Sequence, residues 1–113
     1  MPEKCAQYGL VEMFRPRSEW YALSRDQRQA FLDNSRREIE RLLAGGVRFL
    51  GVYASRWSSE WHGFSVCECP SAESQQEWIE AAERAGWFRY FEQVNLAGRK
   101  MSLDDYFRSL VDL

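Results

Sequence analysis

The sequence predicts an α+β domain: four short strands and two main helices in the order β-α-β-β-α-β, followed by one more helix at the C-terminus. Three observations predict it. Runs rich in β-branched and aromatic residues alternate with stripes of helical period. A serine capping signal stands at the start of each helical stretch. Glycine or proline marks most of the changes of pattern. A chain of 113 residues can bury one core and is too short for two. A single domain over 1–113 is therefore expected, with its core at 7–95 and the added helix at 102–113.

Residues 7–15, QYGLVEMFR, mix β-formers in loose alternation until Arg15-Pro16-Arg17 breaks the run; they form the first strand. Ser24 and Gln27 make a capping box, and the helix behind them carries Phe31, Ser35, Ile39, Leu42 and Leu43 along one stripe. That helix should stop at Gly45-Gly46, where glycine can take a left-handed cap conformation. VRFLGVYASRW at 47–57 reads as the second strand, SSEWHG at 58–63 as a hairpin loop, and FSVCECP at 64–70 as a third strand closed by Pro70. Ser71 caps a second helix whose stripe is Trp78, Ala81, Ala82 and Ala85, and Gly86 ends it. WFRYFEQVN at 87–95 reads as the fourth strand. Ser102 caps the last helix, which has an apolar stripe of Leu103, Tyr106, Phe107, Leu110 and Val111.

This order is the ferredoxin-like split βαβ arrangement, with a four-stranded antiparallel sheet of spatial order 4-1-3-2. On element order, length and aromatic-rich strands, residues 7–95 resemble the dimeric α+β barrel superfamily. Its small members include antibiotic-biosynthesis monooxygenase-like, chlorite dismutase-like and stress-responsive barrel proteins. The resemblance implies a homodimer with two sheets packed face to face, and a ligand held in a cleft between helices and sheet. No catalytic residue carries over, because no motif here matches a characterised branch.

Charge and cysteine usage narrow the partners. With 15 Lys+Arg against 17 Asp+Glu there is no global basic field, so nucleic acid is not an expected partner. The start, MPEKCAQYG, lacks a secretory signal, and no stretch approaches the ~20 apolar residues that span a bilayer. A cytoplasmic protein without a membrane partner is expected. Cys67 and Cys69 share one face of a strand, Cys5 is remote, and the further ligands that zinc requires are missing, so free thiols and no metal are expected. A gap of ~16 Å, if the chain between them is extended, argues against a Cys67–His62 dyad.

The five tryptophans need a place. In a sheet of this order with right-handed crossovers, the end of the first strand, the hairpin between the second and third, and the start of the fourth meet at one pole. Residues 15–23, 57–63 and 86–90 should converge there. They bring Trp20, Tyr21, Trp57, Trp61, Trp87 and Tyr90 together with Arg15, Arg17 and His62. The triplet Ser-Glu-Trp, present at 18–20 and again at 59–61, then marks two loops lining one edge rather than a repeat. The edge has two readings. In one, the aromatic residues close the end of a small barrel or form a dimer seam, with Glu19 and Glu60 neutralising arginine. In the other, they line a pocket for a compact aromatic or hydrophobic molecule, and Arg15 or Arg17 holds an anionic group.

His62 is the only histidine, and its ordinary pKa of ~6.5 suits a general base, although a loop histidine can equally be a solvated surface group. Some superfamily relatives bind haem through one histidine; no such motif surrounds His62, and no cofactor is expected. Glu12, Glu68 and Glu92 lie inside strands. If Phe14 faces Tyr90, Glu12 faces Glu92, and two close carboxylates would make an acid–base pair. Alternatively they face solvent or pair with arginine. The functional expectation is a homodimer binding a small molecule in the tryptophan-rich end, with cofactor-independent oxidation or isomerisation as its chemistry. The alternative is a non-catalytic dimerisation or protein-interaction module.

Overall fold

The computed structural model describes residues 7–57 and 60–113. Strand β1 spans Tyr8–Pro16, β2 Arg48–Ala54, β3 Gly63–Cys69 and β4 Phe91–Arg99; the helices are α1 Ser18–Tyr21, α2 Arg25–Ala44, α3 Ala72–Arg84, α4 Trp87–Tyr90 and α5 Leu103–Val111. The strands form one antiparallel sheet in the order β2-β3-β1-β4, which is the ferredoxin-like order 4-1-3-2.

The helix starts follow the serine signals. Ser24 Oγ accepts from the Gln27 backbone N–H at 3.1 Å, while Gln27 Oε1 accepts from the Ser24 N–H at 2.9 Å, closing the capping box. Ser71 and Ser102 accept from the third residue of α3 and α5 in the same way. Chain reversals after α2 and α3 use Gly46 at φ 106° and Gly86 at φ 83°, a backbone region that side chains with a Cβ rarely occupy.

Helices α2 and α3 cover one face of the sheet. The packed core lies at the end of this layer away from the tryptophan-rich pole: Leu10, Leu42, Val47, Cys67, Cys69, Trp78 and Ala81, with Tyr8 and Ile79 against it. Burying a side chain such as Leu10 fully contributes roughly 1.5–3 kcal/mol. Cys67 and Cys69 are free thiols pointing into this layer, and burial pushes the Cys67 thiol up to about 12, so neither is a reactive nucleophile.

The opposite face carries an apolar surface of its own. Val11, Met13, Phe64, Val66, Val94 and Leu96 point outward from β1, β3 and β4, since they pair with one another across the ladders, and Tyr53 joins them by stacking on Phe64 at 5.0 Å. Leu96 is 67% exposed and Tyr53 49%. Every residue of α5 is exposed as well, including its apolar stripe.

Several features depart from the sequence expectation: residues 18–21 form the short helix α1, β2 ends at Ala54, and β4 runs on to Arg99. Residues 87–90 form the short helix α4, and β4 begins only at Phe91. Trp87 stacks on Phe91 at 4.1 Å and meets Phe14 edge-on, and this packing overrides the β-propensity of the WFRY run. The register moves with it: Phe14 faces Gln93 instead of Tyr90. In addition, the β2–β3 ladder carries an irregularity between Phe49 and Gly51, so Leu50 is an extra residue in the edge strand.

Candidate ligand cleft and the strand-end cluster

The register decides where the strand carboxylates go. Glu12 faces Asn95, and Glu92 faces Arg15. The expected Glu12–Glu92 pair is therefore corrected: a slip by an odd number of residues moves a strand's side chains to the other face, so the two carboxylates lie on opposite sides of the sheet.

Glu12 points toward the helices and is 6% exposed. Its Oε1 accepts from Trp78 Nε1 at 2.8 Å and from Ser65 Oγ at 3.1 Å; its Oε2 accepts from Gln93 Nε2 at 2.7 Å. The Gln93 amide is held in this orientation because its Oε1 accepts from Trp87 Nε1 at 2.8 Å, while its Nε2 also donates to Asn95 Oδ1. All of these donors are neutral. Burial raises the Glu12 pKa above the ordinary carboxylate value, and the bonds from Trp78, Ser65 and Gln93 oppose the rise without reversing it.

This carboxylate sits in the wall of a cavity of about 260 Å³ between helices and sheet. Phe14 and Glu12 of β1, Phe49 and Val52 of β2, Ser65 of β3 and Gln93 of β4 line the sheet side. Ser35, Glu38, Ile39 and Leu42 of α2, with Trp78, Ala81, Ala82 and Ala85 around α3 and with Trp87, line the helix side. The exposed lining residues, Ile39, Phe49 and Val52, put the mouth on the α2–β2 side. The space exists because α2 presents a small residue, Ser35, and α3 a row of alanines, where larger side chains would reach the sheet.

The three segments expected at the tryptophan-rich pole do meet. The Arg17 N–H donates to Tyr90 O at 2.7 Å, the His62 N–H to Phe14 O at 3.0 Å, and Arg15 Nη1 to Glu60 O at 3.1 Å. The aromatic residues, however, divide into two groups. Trp20 is buried and packs on Phe31, Tyr90 and Phe91, filling the end of the helix layer. Trp87, on the other side of Phe91, reaches the cleft. Trp61 lies instead under the Arg15 guanidinium at 4.8 Å, where Arg15, Tyr21, Trp61 and His62 line a shallow open depression. Arg15 is there committed to Glu92, at 2.8 Å, and that cation holds the Glu92 carboxyl below the ordinary range. Arg17 donates to Phe88 O, and Trp57 is 94% exposed.

Of the residues singled out in the sequence, Glu12 and Trp87 reach the cleft; Trp20, Tyr21, Trp57, Trp61, Tyr90, Arg15, Arg17, His62 and Glu92 lie outside its lining. Phe14, Ser35, Phe49, Ser65, Trp78 and Gln93 were missed as site residues. Ser35 and Ser65 carried a signal, since each interrupts an otherwise apolar stripe. Haem does not fit this cleft: no histidine, cysteine, methionine or tyrosine lines it. Among the described residues no cluster of three or more His, Cys, Asp or Glu could hold a metal, and no helix is long and apolar enough to cross a membrane.

These features define a ferredoxin-like α+β protein with a helix–sheet cleft built around one buried carboxylate. Over residues 7–113 the sequence matches DUF6616, a family of unknown function, and the chain belongs to that family. A comparison with curated protein sequences finds no match. Among solved structures the fold is similar to an arginine-to-lysine mutant of chlorite dismutase from Candidatus Nitrospira defluvii, with a TM-score of 0.76 at 20% identity over 96% of this chain and 46% of that one. It is also similar to the same protein in complex with imidazole, with a TM-score of 0.72 at 16% identity over 88% of this chain and 42% of that one. The likeness is one of fold, and the chain spans less than half the length of these structures.

Proposed function

We propose that the protein binds a compact aromatic or hydrophobic molecule in the helix–sheet cleft, with Glu12 as the group that exchanges a proton with it. The observation that carries this reading is the cavity of about 260 Å³ with a nearly buried carboxylate in its wall. Apolar walls with a few converging polar groups are what small-molecule sites have in common. A carboxyl group whose pKa is raised by burial is suited to general acid–base work. Cofactor-independent oxidation, with dioxygen as the co-reactant that accepts the electrons, or isomerisation, both of which begin with removal of a proton, are the reactions this arrangement supports best.

Filling the cleft tests it. Ala82→Phe should leave the circular dichroism spectrum unchanged and abolish the quenching of Trp78 and Trp87 fluorescence by small aromatic ligands. Quenching that survives would move the binding site elsewhere. With any ligand that the protein turns over, Glu12→Gln should lower kcat by at least ~100-fold.

The outer sheet face supports a homodimer alongside this site. Its apolar centre is flanked by Arg15–Glu92 at one end and by Arg48 and Lys100 around Glu68 at the other, the pattern of an apolar interface core with a polar rim. Two copies packed by this face would cover Val66, Val94 and Leu96. Val66→Glu should convert a dimer to monomer in sedimentation velocity, and an unchanged sedimentation coefficient would reject the face as the seam.

A further inference from the structure

The cleft's charge points to its ligand. Its lining contains two acidic side chains, Glu12 and Glu38, and no lysine, arginine or histidine. Glu38, at the rim, is already neutralised by Arg41 at 3.1 Å. Glu12 is not: each of its donors is an uncharged indole, hydroxyl or amide. A carboxylate accepts up to about four hydrogen bonds; here Oε1 receives two and Oε2 one, so Oε2 retains acceptor capacity. The remaining charged or titratable neighbours are the Cys67 and Cys69 thiols, both held neutral by burial. Four aromatic side chains, Phe14, Phe49, Trp78 and Trp87, share the cleft's lining with the carboxylate.

A buried carboxylate without a counter-charge is costly, and a cation entering beside it offsets that cost. The face of an aromatic ring attracts an organic cation through its quadrupole and repels an anion. An anionic ligand would meet Glu12 as a like charge in a site of low dielectric.

We infer that the ligand of this cleft is an organic cation, an ammonium group on a compact apolar or aromatic body, whose N–H bonds Glu12 among the rings of Phe14, Phe49, Trp78 and Trp87. The inference rests on the cleft being the binding site, and it replaces the anion-holding role that Arg15 and Arg17 suggested in the sequence. The volume suits one ring with a short chain, below the size of a typical drug-like ligand.

Fluorescence titration of the full chain near neutral pH with phenethylammonium, 2-phenylethanol and phenylacetate tests it, because the three probes share one body and differ in charge. The ammonium should bind at least about tenfold more tightly than the alcohol, equivalent to about 1.4 kcal/mol, and phenylacetate more weakly than either. Glu12→Gln should remove the preference for ammonium while the alcohol still binds. Alcohol or phenylacetate binding as tightly as the ammonium overturns the inference and leaves the cleft reading standing; so does an ammonium preference that persists in Glu12→Gln. The order of the three probes on the unaltered protein decides the matter even if the variant fails to fold. Silence from all three probes overturns both.

Discussion

Glu12 and Glu92 belong to neighbouring strands of one sheet, yet the structure treats them in opposite ways. Glu92 lies on the outer face, half-exposed, with Arg15 at 2.8 Å, and its pKa is lowered. Glu12 lies on the inner face with only neutral donors, and its pKa is raised. The same side chain is thus a screened surface charge in one place and a buried, hydrogen-bonded group in the other. What separates them is strand parity, which decides whether a carboxylate meets arginine and water or indole and alanine. A binding site should be sought where a carboxylate is hydrogen-bonded without being neutralised.

The largest expected effect comes from removing the inner group. Glu12→Ala leaves the Trp78 indole N–H, the Ser65 hydroxyl and one Gln93 N–H without their acceptor, at about 1–3 kcal/mol for each donor that stays unpaired. Chemical denaturation should show a loss of about 3 kcal/mol or more. A loss below about 1 kcal/mol would mean that water enters the cleft and satisfies these donors, weakening the contrast with Glu92.

A smaller effect separates the two groups by pH. Because the folded Glu12 pKa lies above its unfolded value, the folded state holds the proton more tightly, and the contribution is fully present below the unfolded pKa. It is lost as pH rises through the folded pKa. Glu92 has the opposite sign: its contribution is present above the unfolded pKa and lost as pH falls through its lowered folded value. Melting temperatures of the unaltered protein and Glu12→Gln should therefore diverge across the window just above the ordinary carboxylate range, with the unaltered protein gaining relative stability toward acid. Parallel curves would remove the assigned shift.

The smallest effect belongs to Glu92→Gln. Its partner is solvent-accessible and the pair is screened, so the melting temperature should stay close to that of the unaltered protein and the difference should fade with added salt. A large, salt-independent loss would show that the Arg15–Trp61 stack depends on this pair for the whole end of the sheet.

Much of this architecture was legible in the chain because local signals agreed. Ser24 with Gln27, Gly46 and Gly86 fixed the helix limits by short-range chemistry, and the crossover rule brought distant loops to one pole. The site was less legible. WFRY has the composition of a strand, and only the contacts of Trp87 with Phe14 and Phe91 turn it into α4, so the register of β4 and the partner of Glu12 depended on tertiary packing. Trp78 looked like an ordinary core residue of a helical stripe, since no sequence pattern reveals that an indole N–H is aimed at a carboxylate 66 positions away.

The extra residue in β2 bears on how copies of the chain can associate. A strand interrupted at Leu50 offers an irregular rail of peptide groups along this edge. A neighbour extending the sheet sideways along this rim meets the irregularity at Leu50. Growth into open-ended ribbons is thereby discouraged on this side.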